Sequence, residues 1–258
     1  MRALVTGAGK RLGRVMALRL AEHGYDVAVH YNSSQHEAEN TVGEICALGR
    51  RAAAVRADLL SEDEAQGLLP AASQALGGPI TCLVNNASIF EHDSAITASR
   101  ESWDRHMGSN LRAPFVLIQN MAAQDLDVSV DANGEPLSGG LVVNMIDQRV
   151  RKLTPNFFSY TLAKSALWTL TQTAAQALAP QLRVNAIGPG PTLAGPRQSL
   201  DDFGHQRAQT VLQRGANPSD VAAALAYLLE ARAVTGQLIC VDGGQHLSWK
   251  TPDAMGRE

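Results

Sequence analysis

Thr6-Gly7-Ala8-Gly9-Lys10-Arg11-Leu12-Gly13 is the stretch that decides the fold. It ends the short apolar run Ala3-Leu4-Val5 and leads directly into residues 12–23, whose apolar positions recur at helical spacing. Glycines between a strand and a helix let the chain turn tightly and let backbone N–H groups approach a pyrophosphate at the helix N-terminus. Lys10, Arg11 and Arg14 gather at the same place. The helix macrodipole disfavours cations there by ~0.3–1 kcal/mol each when exposed, so three of them point to a bound anion. The competing reading is an ordinary strand-turn-helix with solvated basic residues.

Working outward, β-rich runs at 3–6, 26–31, 52–57, 81–85, 141–146, 183–187 and 237–241 alternate with helical stretches. The helical stretches are 12–23, 36–48, 62–76, 103–123, 160–179 and 219–230. The strand runs are apolar on both parities, as strands covered on both faces must be. Such alternation predicts an α/β fold: one doubly wound Rossmann-type domain over 1–258, its seven-stranded parallel sheet flanked by helices. The polar stretch 125–140 reads as a surface excursion, and 189–217 as the loop that shapes a substrate pocket. Along 160–179, Leu162, Ala163, Ala166, Leu167, Leu170, Ala174, Ala177 and Leu178 form an apolar stripe. The opposite face has Lys164 as its one charge, which suits contact with another subunit or a neutral solvent face.

Composition excludes several classes. The chain has 258 residues, 45% apolar and 18% charged, with 22 Lys+Arg against 25 Asp+Glu. A net charge of −3 argues against a nucleic-acid partner, which usually goes with a basic surplus. Cys46, Cys82 and Cys240 are scattered, with no C-x-x-C pair, so neither a disulfide framework nor a zinc site is expected. Residues 165–182 carry no charge but contain several Ser, Thr and Gln and Pro180, a poor membrane span. A soluble, cytoplasmic protein without a metal is the expectation.

The end of the second strand selects the dinucleotide. An NAD site places Asp or Glu there to hold the ribose 2′-hydroxyl. Here the run is His30-Tyr31-Asn32-Ser33-Ser34. Hydroxyl and amide donors, with Lys10 and Arg11 nearby, suit a 2′-phosphate and hence NADPH/NADP+. One of Asn32, Ser33 and Ser34 is also expected to cap the next helix.

At this point the chain resembles the short-chain dehydrogenase/reductases over essentially its whole length. The glycine loop is similar to their T-G-x-x-x-G-x-G, with Arg11 in place of the middle glycine. Asp58, followed by Leu59, resembles the acid that contacts adenine. Asn85-Asn86-Ala87-Ser88 resembles N-N-A-G, and Asn110 falls where the family has an active-site Asn. Tyr160-Thr161-Leu162-Ala163-Lys164 is similar to the Y-x-x-x-K pair; Pro189-Gly190 and Asp242-Gly243-Gly244 follow the sixth and seventh strands. The resemblance implies that Gly7, Lys10, Arg11, Leu12, Gly13, Tyr31, Asn32, Ser33, Ser34, Asp58, Leu59, Asn85, Ala87, Ser88, Tyr160, Lys164, Pro189 and Gly190 hold the cofactor. It further implies a homotetramer with two-fold axes.

Departures from the family pattern narrow the resemblance to pteridine and dihydromonapterin reductases. These are Arg11, the run Asn85-Asn86-Ala87-Ser88-Ile89-Phe90, and Asp147 thirteen residues before Tyr160, where ketone reducers usually carry Ser. The likeness implies that Arg11, Ser88, Phe90, Asp147 and Tyr160 meet a pterin, its ring between Phe90 and the nicotinamide.

The chemistry agrees with that implication. Tyr160 and Lys164 are four apart on a helix and project from one face. A phenol with a pKa of ~10 needs a nearby cation to work near neutrality, and Lys164 supplies one. Asn110 would position a water linking Lys164 to solvent. Reducing a C=N bond leaves a ring nitrogen that must receive a proton; a carboxyl with a raised pKa at Asp147, partnered with Tyr160, can relay it. Asp147 as a mere orderer of the following loop, and Phe90 as ordinary core, are the bland alternatives. A carbonyl reductase of the same fold and a non-catalytic NADP(H)-sensing regulator are the competing functions.

Overall fold

The computed structural model describes residues 1–195 and 198–249. Its strands are sorted by parity. In β1 (Arg2–Val5), Ala3 and Val5 enter one core and Leu4 the other. The same alternation runs through β2 (Asp26–Tyr31), β4 (Cys82–Asn85) and β7 (Gly140–Met145): Val27, Val29, Val84 and Val143 on one side, Ala28, Leu83 and Val142 on the other. Period-two side-chain geometry requires a cover on both faces of such strands. Helices α1 (Arg11–Glu22), α2 (Gln35–Ala47) and α8 (Pro218–Glu230) provide Met16, Leu20, Ile45, Leu225 and Leu228 for the first core. Helices α3 (Glu62–Leu76), α5 (Ala113–Ala122) and α6 (Phe158–Ala177) provide Leu68, Leu69, Leu117, Met121 and Ala174 for the second.

With β3 (Ala52–Arg56), β8 (Leu182–Pro189) and β9 (Leu238–Val241), the sheet has seven strands in the order β3-β2-β1-β4-β7-β8-β9, every neighbouring pair parallel. The winding reverses between β1 and β4. At such a switch point the loops leaving two adjacent strands diverge and open a crevice at their carboxyl ends. All seven predicted strands are present. The excursion at 125–140 folds as an exposed antiparallel hairpin, β5 (Ser129–Val130) with β6 (Pro136–Leu137).

Three elements differ from the sequence reading. The helix expected over 103–123 is α4 (Arg100–Met107), a π turn over Gly108–Arg112, and α5. Pro114, at the start of α5, has no N–H to continue the regular ladder. Within the segment read as pocket loop lies α7 (Leu200–Ala208), a helix with no buried residue and hence no apolar stripe to announce it; residues 196 and 197 of that segment lie outside the described residues. On α6 the stripe is rotated: Lys164 is buried, whereas Leu162 and Ala177 face outward. The outward face, with Thr169, Gln172, Thr173 and Gln176, is uncharged. Among the described residues, no helix is long and apolar enough to cross a membrane.

Candidate active site

A cleft of about 1120 Å³ opens at the carboxyl ends of the strands on both sides of the switch point. The loops after β1 and β4 are fastened to one another at its floor. Thr6 Oγ1 accepts the N–H groups of Asn86 and Ala87, each at 2.9 Å, and Asn86 Nδ2 donates to the Thr6 carbonyl at 2.8 Å. Gly13 is required here, because a Cβ on it would lie 2.1 Å from the Gly7 carbonyl oxygen. His30 braces the loop from beneath. The Gly7 N–H donates to its Nδ1 at 3.0 Å, and its Nε2–H donates to the Ala57 carbonyl at 3.0 Å. Burial, only partly opposed by the Ala57 bond and Asp58, takes this imidazole down to about 4, so it stays neutral.

Gly7, Lys10, Arg11, Leu12 and Gly13 all line the cleft. Arg11 adopts a left-handed backbone (φ 54°), a strained choice for a side chain with a Cβ. Its guanidinium donates to the Ala194 and Leu193 carbonyls at 3.1 and 3.3 Å, tying the glycine loop to the pocket loop. Arg14 corrects the sequence argument. It forms a two-pronged ion pair with Glu44 of α2, so its presence needs no bound anion. Lys10 lies 3.8 Å from Glu37.

At the far end, Tyr31, Asn32, Ser33, Ser34, Asp58 and Leu59 form the wall, with no carboxylate at the end of β2. Ser34 occupies the N-cap position of α2, yet its hydroxyl makes no cap bond. Those donors, the Gly13 cradle and the helix N-terminus fit the adenosine half and pyrophosphate of NADP(H).

The reacting end is built from β7, α6 and the loop after β4. Tyr160 Oη donates to Asp147 Oδ2 at 3.0 Å. Asp147 Oδ1 accepts the Arg149 N–H at 2.8 Å, so the carboxylate also caps the turn Gln148–Val150. Loop ordering and pairing with Tyr160 therefore coexist in one side chain. Burial pushes the Asp147 carboxyl up, against the opposing pull of the Arg149 N–H and charge, Tyr160 and Lys164. Burial, then Asp147, pushes the Tyr160 phenol well above its ordinary value against the pull of Arg149 and Ser88, the opposite of the lowering the sequence predicts from Lys164. Lys164 Nζ donates to the Met145 carbonyl at 2.8 Å, and burial brings it down to about 8.

Phe90 stands over this group, its ring edge-on to Tyr160 at 4.7 Å. Phe157 stacks on Phe90 at 4.1 Å and 9°, and the Arg149 guanidinium covers Phe157 at 5.1 Å. Such aromatic pairs contribute about 0.5–1.5 kcal/mol each beyond burial. Ser88, Ala87, Pro189 and Gly190 complete the lining. Two expected residues sit elsewhere. Asn85 is buried under the floor, donating to Asn144 Oδ1 at 2.8 Å; Asn144 in turn donates to Thr171 of α6. Asn110 is fully buried and turned to the backbone: Nδ2 donates to the Ile89 carbonyl at 2.8 Å, and the Ile89 N–H donates to Oδ1 at 2.9 Å. The sequence reading missed His30, Phe157 and Gln148, a cleft residue whose buried Oε1 has no hydrogen-bond partner among the described residues.

Comparison with known proteins identifies this architecture. A family model described as enoyl-(acyl carrier protein) reductase matches residues 7–246. A short chain dehydrogenase from Burkholderia cenocepacia, solved with NADP, is 32% identical; the match covers 95% of this chain and 97% of that one, with a TM-score of 0.84. The chain belongs to the short-chain dehydrogenase/reductase family. As a member it is an NADP(H)-dependent oxidoreductase, which removes the reading as a non-catalytic sensor. Within the family, FolM alternative dihydrofolate reductase 1 from Brucella suis, solved with NADP, is 45% identical with a TM-score of 0.90 over 98% of this chain and 97% of that one. The 3-oxoacyl-(acyl-carrier-protein) reductase of Staphylococcus epidermidis is 33% identical over 95% of this chain and 98% of that protein.

Proposed function

We propose that this short-chain dehydrogenase/reductase reduces a C=N bond of a pterin or dihydropterin. The observation that carries the reading is the Tyr160–Asp147 hydrogen bond, a hydroxyl and a partly buried carboxyl side by side where ketone reducers need only hydroxyls. The greater identity to an enzyme called an alternative dihydrofolate reductase than to a 3-oxoacyl reductase supports it.

NADPH, when bound, supplies the hydride that a ring carbon receives. The chain handles the rest. Phe90 offers a flat apolar face for a fused ring, and Ser88 and Arg11 offer donors at its edge. The neighbouring ring nitrogen takes a proton from the Tyr160 hydroxyl, and Asp147, protonated as its raised pKa favours, replenishes it by becoming the donor across the same 3.0 Å contact. The positive charge of Lys164 stabilises the phenolate that forms. Gly7, Lys10, Arg11, Leu12, Gly13, Tyr31, Asn32, Ser33 and Ser34, with Asp58, Ala87, Pro189 and Gly190, hold the dinucleotide. The protein works in the cytoplasm as a homotetramer of single-domain subunits, with the uncharged face of α6 against a neighbour.

The second reading is a carbonyl reductase, favoured by the 3-oxoacyl reductase relatives. NADPH oxidation followed spectrophotometrically with biopterin, dihydromonapterin, dihydrofolate and several ketones separates the two. Pterin turnover above ketone turnover is expected; the reverse order rejects the pterin reading.

A further inference from the structure

Behind the cleft, a buried network belongs to neither the cofactor wall nor the proton pair. His106 of α4 is fully buried. The Glu91 N–H donates to its Nε2 at 3.1 Å, which leaves the proton on Nδ1, 2.6 Å from Ser159 Oγ. Ser159 Oγ in turn donates to Asp93 Oδ2, and its N–H donates to Asp93 Oδ1 at 3.1 Å. Ser102, also on α4, adds a hydroxyl to the same carboxylate at 2.9 Å. Asp93 thereby serves as the N-terminal cap that α6 does not supply for itself: Phe157 caps with no side chain, and the first turn has no acid.

The neighbours of these residues give the network its meaning. Ser159 immediately precedes Tyr160, and the His106 ring lies edge-on to the Tyr160 ring at 6.0 Å. Glu91 immediately follows Phe90, whose other neighbour, Ile89, is held through both its N–H and its carbonyl by Asn110. Two side chains four positions apart thus clamp the segment carrying Phe90 from both sides. One of them, His106, also reaches the residue beside Tyr160.

We propose that His106 is a positioning residue that fixes the stacking ring of Phe90 and the hydroxyl of Tyr160 in one frame, one ring nitrogen for each. Nε2 sets the substrate wall; Nδ1, through Ser159, sets the proton donor. The neutral imidazole suits this because it accepts and donates at once, and burial lowers its pKa against the opposing charges of Asp93 and Glu91, with Arg105 acting in the same direction as burial. The Tyr160 half holds for any substrate of this reductase; the Phe90 half rests on the stacking role proposed above.

Three substitutions in the whole chain separate the two arms. His106→Asn places an amide donor near the Nδ1 position but cannot reach Glu91. His106→Gln places an acceptor near the Nε2 position but leaves Ser159 unsupported. Ser159→Ala cuts the Tyr160 arm with His106 intact. The expected results are a KM raised about tenfold in His106→Asn, and a kcat lowered about 10–100-fold in His106→Gln and Ser159→Ala, the cost of a displacement of about 1 Å. NADPH affinity, measured by fluorescence titration, stays within about twofold in each. The substrate is whichever compound the wild type reduces fastest, so a panel won by ketones rejects the pterin reading and leaves this test standing. Parallel losses of NADPH affinity, kcat and KM in all three would overturn the proposal. So would kcat and KM values within about twofold of wild type. If the His106 variants do not fold, Ser159→Ala decides: an unchanged kcat in the folded variant rejects the role.

Discussion

Tyr160 Oη and Asp147 Oδ2 share a 3.0 Å hydrogen bond, while the other carboxylate oxygen of Asp147 holds the Arg149 N–H. The carboxylate is therefore fixed in two directions, and burial raises the pKa of this partner of Tyr160. On the proposed mechanism, this pairing makes proton delivery separable from cofactor binding.

Tyr160→Phe keeps the ring against Phe90 but removes the hydroxyl. A single general acid–base group contributes ~10²–10⁴ in rate, so kcat should fall within that range while the NADPH dissociation constant changes little. Steady-state kinetics together with cofactor titration check both halves of the statement.

The rate should fall as pH rises through about 8. Lys164 is held near that value by burial, so its charge is present below it and lost above it. Asp147, raised by burial, loses its proton over the same direction of change. Both effects have one sign: reduction is faster on the acidic side. A pH–rate profile from 6 to 10 reads this limb, and a flat profile contradicts it.

Gly13→Ala should cripple the cofactor site. Its Cβ would fall 2.1 Å from the Gly7 carbonyl oxygen and 2.6 Å from Asn86 Nδ2, which bonds both Thr6 and Gly7. Displacing the loop should weaken NADPH binding by more than about tenfold, or ~1.4 kcal/mol. Calorimetric titration tests it.

Cofactor choice is testable at the end of β2. Asn32→Asp introduces the carboxylate that an NAD site uses, and its charge opposes a 2′-phosphate. The ratio of kcat/KM for NADPH over NADH should narrow, through weaker NADPH binding.

Much of this was legible in the chain. The strands were readable because burial on both faces leaves continuous apolar runs such as Leu141-Val142-Val143, and the glycine loop because Gly7 and Gly13 answer to backbone geometry. Helix α7 was hidden because none of its residues is buried; the signal it did leave was Ser199 at the N-cap, accepting the Asp202 N–H, with Asp201 and Asp202 in the first turn. The i,i+4 spacing placed Lys164 beside Tyr160, but not its burial, because the sequence says nothing of the buried carbonyl at Met145 that holds its Nζ. Arg14 looked like an anion ligand because Glu44, thirty residues away, is its partner only in three dimensions. Phe157 escaped notice for a backbone reason: its left-handed conformation (φ 57°) turns the chain at the start of α6, and nothing in an aromatic residue signals that.

Asp147→Ser is the most direct measurement of the central claim, because it restores the residue that ketone reducers carry while leaving Tyr160 and Lys164 in place. Wild type and variant are compared for NADPH oxidation with a dihydropterin and with a ketone, alongside NADPH titration. The account predicts pterin turnover reduced by ~10²–10⁴, NADPH affinity within about twofold, and ketone turnover unchanged or raised. Pterin turnover within about twofold of wild type, less than ~0.5 kcal/mol in the barrier, would show that Asp147 only orders the turn at Arg149 and would contradict the account.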